Sequence, residues 1–227
     1  SSTQHLIKVL WQSRKIIWIN SIGLRKPKLT WRDVIRAWHK IVAYFKGNNK
    51  RCRSQSQTIN SMGFKVISPL VLPCADSRWT IRLNQWLLAK QLAKPLKLMN
   101  IDDPIIWCSL PAAVDYLALF KDSPSIYYCG DDFGSLAGVD HRDVLHKESQ
   151  LVPQVSYVFT ASKALLSKFP QHKSVNIPHG VNYELFNNKP TKRPDDLPKS
   201  EHIAGFYGSV STWIDQELIA HAANLLP

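Results

Sequence analysis

Apolar positions recur at helical spacing in the first hundred residues and in short unbroken runs afterwards. Trp31, Val34, Ile35, Trp38, Ile41, Val42 and Phe45 repeat every three or four residues, which predicts an amphipathic helix from Thr30 to about Lys46. Thr30 supplies its N-cap and Gly47 its stop. Ser2–Ser13 predicts an earlier helix, followed by a strand over Lys15–Asn20. Asn48–Ser61 is polar and loop-like, and Phe64–Pro73 is strand-like. Ser77 to about Met99 reads as a long helix, with Trp79, Leu83, Trp86, Leu87 and Leu92 available for packing.

From Pro104 onward strands and helices alternate. PIIWC (Pro104–Cys108), SIYYC (Ser125–Cys129), SYVFT (Ser156–Thr160) and SVNIP (Ser174–Pro178) read as strands. Between them, Pro111 opens a helix to about Phe120, and helices follow over Asp140–Leu151 and Ser162–Phe169. The strand runs are rich in Ile, Val, Tyr and Trp and do not alternate with polar residues. That pattern predicts an α/β chain, a single parallel sheet with helices on both faces. Residues 188–201 hold Pro190, Pro194 and Pro198 and read as a linker. A strand over His202–Tyr207, a tight loop over Gly208–Ser211 and a helix over Thr212–Leu226 then predict the first βα unit of a new domain beyond the linker.

Composition sharpens this picture in two places. The net charge of +12 is not evenly spread: residues 1–53 hold 13 of the 29 Lys/Arg but only one of the 17 acids, Asp33. Nucleic acid, an anionic membrane surface or a phosphorylated substrate would each account for the excess, as would a solvated basic face. Trp and cations border the apolar stripe of the Thr30 helix, so it suits either core packing or an interfacial position. The four cysteines, Cys52, Cys74, Cys108 and Cys129, are widely spaced and read as free thiols. No apolar run is long enough to span a bilayer. No P-loop, GxSxG or HExxH pattern occurs, and His141 and His146 miss the spacing of a helical zinc pair, so no metal site is expected.

Ligands of an open parallel sheet gather beyond the carboxyl ends of its strands, and four segments fall there. GDDFG follows SIYYC; Asp131, or Asp132 as the alternate, can bond a sugar hydroxyl or take its proton, or can cap a turn. Ser2, Thr3, Gln4 and His5, after Ser1, open the first helix and offer hydroxyls and free N–H groups to an anion; His5 equally suits an ordinary first-turn position. In PHGVNYELF, His179 can donate to a phosphate or sugar oxygen and Gly180 permits a turn beside a ligand, while Val181 and Phe186 read as packing residues. Gly208, Ser209 and Ser211 lie between a strand and a helix N-terminus, a geometry suited to a diphosphate. Glu148, Arg82 and Asn84 read as structural, paired or capping.

VFTASKALLSKF followed by IPHGVNYELF, and later the Trp213–Asp215 "W.D" pattern, resemble glycosyltransferases of the two-Rossmann GT-B architecture, and family 4 most closely. The resemblance runs from about Ile105 to Ile219; residues 24–60 have no counterpart in it. It implies an N-terminal acceptor-side domain over 1–187, a linker, and the start of a donor-binding domain over 202–227. It implies retaining transfer of a sugar from a nucleotide-diphosphate sugar, a co-substrate with no further cofactor, to a polysaccharide or lipid-linked acceptor in cell-envelope polysaccharide or glycolipid synthesis. Asp131 and Asp132 then stand on the acceptor side, Ser2–His5, His179 and Gly180 around the substrate, and Gly208, Ser209 and Ser211 on the donor phosphates. Nucleic acid is not an expected partner. A cytoplasmic, membrane-peripheral protein is expected, touching the anionic inner leaflet through basic residues 24–53. The alternative is a carbohydrate- or nucleotide-binding module of the same fold without turnover. The sequence starts without the family's first strand and stops early in the donor half, so clipping at both ends and little activity in isolation are expected.

Overall fold

A computed structural model describes residues 2–21, 63–72, 77–135, 140–188, 195–197, 203, 205–206, 208, 210 and 214–225. The Thr30–Lys46 helix, the basic region 24–53, Cys52, Cys74, Ser1, Ser209, Ser211, Trp213 and most of the expected linker lie outside the described residues. The chain divides into two compact units, Ser1–Gly180 and Val181–Pro227.

In the first unit, α1 (Ser2–Leu10) leads through a turn into β1 (Ile16–Ile19), which pairs in parallel with β2 (Phe64–Ile67). Trp11 packs on Phe64 with ring centroids 5.4 Å apart. Gly63 precedes β2 at φ 124°, a conformation that favours glycine. A second sheet holds β3 (Ile106–Cys108), β4 (Ser125–Cys129), β5 (Tyr157–Thr160) and β6 (Ser174–Asn176) in sequential order, all parallel. The single sheet read from sequence is therefore two, because among the described residues β1 and β2 pair only with each other.

The helix α2 (Arg78–Leu98) is capped by Ser77, whose hydroxyl accepts from the Thr80 N–H at 3.2 Å. It ends where Asn100 takes a left-handed φ of 48°, a common terminator. Its inner face buries Asn84, Leu88 and Leu92. Two side-chain amides on that face act as substitute strand partners. Asn84 accepts from the Leu72 N–H at 2.7 Å and donates to the Leu72 carbonyl at 3.0 Å. Gln91, two turns on, does the same for Leu70 at 2.9 and 3.1 Å. The chain after β2 thus runs extended beside α2 with its backbone satisfied, although Leu70–Leu72 form no strand.

The connections of the larger sheet are helical. β3 leads through a 3-10 turn (Pro111–Ala113), α3 (Val114–Leu117) and a second 3-10 turn (Ala118–Phe120) to β4. α4 (His141–Gln154) joins β4 to β5, and α5 (Lys163–Leu166) joins β5 to β6. Leu117, Val144, Leu151 and Leu165 from these helices share one core with Cys108, Tyr127, Cys129 and Val158 from the strands. The helices expected on both faces reduce, for these connections, to helices on one. Sequential strand order and a single crossover hand leave no other side for them. The opposite face carries Trp107, Tyr128 and Phe159, with Trp107 stacked on Tyr128 at 5.6 Å and edge-on to Phe159 at 5.9 Å. Lys147 and Asp115 form an ion pair of 2.8 Å between α4 and α3. Lys173 donates to the carbonyls of Val152 and Val155 at 2.5 and 3.0 Å, satisfying acceptors at the Pro153-containing end of α4.

The second unit contains α6 (Tyr183–Asn187), capped by Asn182, and α7 (Gln216–Leu225), capped by Asp215 through the Leu218 N–H at 2.9 Å. Val181 and Phe186, expected to pack, are exposed. The expected strand at 202–207 is also not seen in its described residues, Ile203, Gly205 and Phe206. An extended segment becomes a strand only when a neighbour takes up its backbone hydrogen bonds, and no strand among the described residues of this unit does so.

Candidate functional site

The carboxyl end of β4 is where the larger sheet gathers polar side chains. Tyr127 and Tyr128 are adjacent in a strand and so face opposite ways. Tyr127 is fully buried toward the helices, where its hydroxyl donates to Glu148 of α4 at 2.5 Å. Burial drives the Tyr127 phenol far above its usual pKa, with neighbouring Cys129 and Glu148 adding to the effect. Glu148 is thereby committed to the interior, in keeping with its reading as a paired residue.

Tyr128 faces the other way. Its hydroxyl lies 3.0 Å from Nδ1 of His179. His179 follows β6 and reaches back across β5 to meet it, so two motifs 51 residues apart come together at one sheet edge. Burial, and then the Asp131 carboxylate, raise the Tyr128 phenol above its usual pKa. Either the phenol donates to Nδ1 and leaves Nε2–H pointing away as a donor, or Nδ1–H donates and Nε2 becomes an acceptor. In both cases Nε2 is the ring nitrogen that Tyr128 leaves unused. Gly130 lies beneath both rings: a Cβ there would sit 3.5 Å from Tyr128 and 3.9 Å from His179.

The GDDFG loop is held on both sides of Asp131. The Cys129 thiol donates to the Asp131 carbonyl at 3.3 Å, and Phe133 is buried in the core. Asp132 folds back to accept from the Gly134 N–H at 3.1 Å and the Ser135 hydroxyl at 3.2 Å, and pairs with Lys168. The Lys168 ammonium, ahead of the turn hydrogen bonds, holds the Asp132 carboxyl below its usual pKa. Asp132 is thus occupied in shaping the loop. Asp131 is exposed at its tip, near enough for its charge to act on the Tyr128 phenol.

The remaining sequence-derived candidates fall elsewhere or stand alone. Ser2, Thr3, Gln4 and His5 form the first turn of α1, with Thr3 half-buried and Gln4 and His5 exposed. Gly180 has no atom within 4 Å of where a Cβ would be and no left-handed φ, so the fold itself does not demand glycine there. Gly208 does demand it, with φ 155° and the Phe206 ring 3.2 Å from the would-be Cβ. Two residues that sequence reasoning missed are Tyr128, which orients His179, and Lys168, which neutralises Asp132. The doubled tyrosine in SIYYC was the available signal for the first, because one of two adjacent strand residues must face the non-core side. Among the described residues no cluster of His, Cys, Asp and Glu could hold a metal ion, and no helix is long and apolar enough to cross a membrane. No protein-family model matches the chain, and no curated protein matches it.

Proposed function

We propose that this chain provides the acceptor-side α/β unit of a retaining glycosyltransferase of GT-B type, using a nucleotide-diphosphate sugar as donor. The observation that carries the reading is the Tyr128–His179 pair at the carboxyl edge of a parallel sheet, the position where such sheets bind ligands, with the exposed Asp131 on the loop that leaves the same strand as Tyr128. A carboxylate acceptor and an imidazole nitrogen at one edge suit a sugar hydroxyl, which both donates and accepts. In the proposed transfer the bond to the donor diphosphate breaks and the acceptor hydroxyl adds to the anomeric carbon from the face the diphosphate leaves, which retains configuration. The nucleoside diphosphate leaves, and Asp131 holds or takes the hydroxyl proton. His179 orients the acceptor through Nε2. The acceptor is a polysaccharide or a lipid-linked glycan, and the protein works at the cytoplasmic face of a membrane. Gly208, Ser209 and Ser211 are proposed to serve the donor phosphates.

Saturation-transfer NMR with a panel of oligosaccharides and glycolipid headgroups tests this reading. Binding is expected to fall at least about tenfold in Asp131→Ala and in His179→Ala, the scale of one lost charge-assisted hydrogen bond. Saccharide binding indifferent to both changes would contradict it. One observation favours a second reading, a binding module without turnover: two of the three carboxylates near this edge, Asp132 and Glu148, are already committed to Lys168 and Tyr127. Saccharide binding without any transfer or donor hydrolysis across a panel of nucleotide-sugars would select the module.

A further inference from the structure

We propose that the outward face of α2 is a docking surface for an anionic lipid bilayer. The proposal does not depend on sugar transfer and concerns an element distinct from the basic region 24–53.

A helix with one packed face normally turns its tryptophans inward. α2 does the reverse. Asn84, Leu88 and Leu92 are buried, while Trp79 is 80% exposed, Trp86 57% and Leu83 44%. At 100° per residue, Trp79, Leu83, Trp86, Lys90 and Lys97 fall along one line on the side opposite the buried residues. That line is about 27 Å long at 1.5 Å per residue. Its first half is aromatic and apolar and its second half cationic. Lys90 lies over the Trp86 ring at 5.8 Å, which joins the halves.

Charge identifies the partner. Residues 78–98 contain Arg78, Arg82, Lys90, Lys94 and Lys97 and no acid; Asp76 and Asp102 are the first acids on either side. At its cationic end α2 borders a shallow open hollow of about 540 Å³, lined by Ala93, Lys94, Lys97, Leu98 and Asn100. Lys15 reaches the Asn100 carbonyl at 3.5 Å and brings a further ammonium to the rim. Lys94 and Lys97 on its border offer two ammonium groups to an anionic headgroup. Exposed tryptophans flanked by cations on a helix lying along a surface are the composition of an interfacial helix. Lys is depleted at protein–protein interfaces, so a face carrying Lys90, Lys94 and Lys97 suits an anionic bilayer better than a protein partner.

Co-sedimentation of the 227-residue chain with vesicles tests the proposal. One set is phosphatidylcholine alone; the other contains about one quarter phosphatidylglycerol, enough to give each surface lysine a measurable attraction. Binding to the anionic set is expected to exceed binding to the neutral set by more than about tenfold and to weaken with salt. Trp79→Ser/Trp86→Ser and, separately, Lys94→Glu/Lys97→Glu should each lower anionic-vesicle binding about tenfold or more. Quenching of the unmodified chain's tryptophan fluorescence by bromine-labelled lipid supplies a readout that needs no variant to fold. Equal binding by either double variant and the parent, equal binding to both vesicle sets, or absence of bromine quenching would overturn the proposal. So would tight binding to a soluble polynucleotide that ignores the loss of both tryptophans.

Discussion

Asp132 and Asp131 are neighbours in sequence with different surroundings. Asp132 is tied to Lys168, Gly134 and Ser135, and its lowered pKa means its contribution to folding is present above the ordinary carboxylate range and lost as pH falls through the lowered value. Lys168→Met should move the Asp132 titration midpoint, followed by carboxyl ¹³C NMR, back up toward the ordinary range. An unmoved midpoint would show that the ion pair does not govern it. The sequence could mark both aspartates as candidates, but it could not separate them. Lys168 lies 36 residues away, and its approach depends on where α5 ends above the sheet. The buried thiols provide a second test. Burial pushes Cys108 from 9.0 up to about 12 and Cys129 from 9.0 up to about 11. Both should resist an aromatic disulfide reagent at neutral pH in the folded chain and react after unfolding in urea, as read by mass spectrometry of the modified peptides. Labelling of either thiol at the rate of an unfolded control would contradict the packing described for β3 and β4.

At the scale of elements, the region after Pro104 was legible because each strand is a short apolar run and each helix starts with its own cap or proline. Asp140 and Ser162 hold the helix N-termini expected of them, through the N–H groups of Asp143 and Leu165. The segment after β2 was less legible. Phe64–Pro73 has strand composition throughout, yet the ladder stops at Ile67. Beyond it the hydrogen-bond partners are Asn84 and Gln91, side chains on a helix, and hydrophobic periodicity carries no signal for such a substitution. Asn84→Ala should therefore cost more than its size suggests. It removes a buried amide and leaves the N–H and carbonyl of Leu72, itself 40% exposed, to water or unpaired, a loss of about 1–2 kcal/mol in a urea titration. Gln91→Ala, at a half-buried site, should cost less. Equal costs, or a cost below about 0.5 kcal/mol for Asn84, would show that water replaces these bonds freely.

At the scale of the whole molecule, the packed core of the first unit holds groups that must stay neutral. Cys108 and Cys129 ionise in the unfolded chain near their ordinary pKa and in the fold only at about 12 and 11, so their contribution is present below pH 9 and lost as pH rises. Tyr116, pushed up to about 12 chiefly by burial, and Tyr127 act in the same direction. The unfolding free energy from urea titrations should therefore fall between about pH 9 and 10.5, by on the order of 2 kcal/mol per buried thiol. A flat profile over that range would mean the interior admits water. The α/β class and parallel pairing could be anticipated from strand composition. The division into two sheets could not, because it depends on which edge each strand finds rather than on the strand's own residues.

The central claim concerns one sheet edge, and His179 can report on it directly. In ¹³C-histidine-labelled protein, with the resonance assigned from His179→Asn, titration with a binding oligosaccharide should shift the His179 ring signals and leave those of His141, His146 and His172 in place. Tyr128→Phe should weaken that response by removing the hydroxyl that orients the ring. A saccharide that binds while the His179 signals stay fixed would contradict the account.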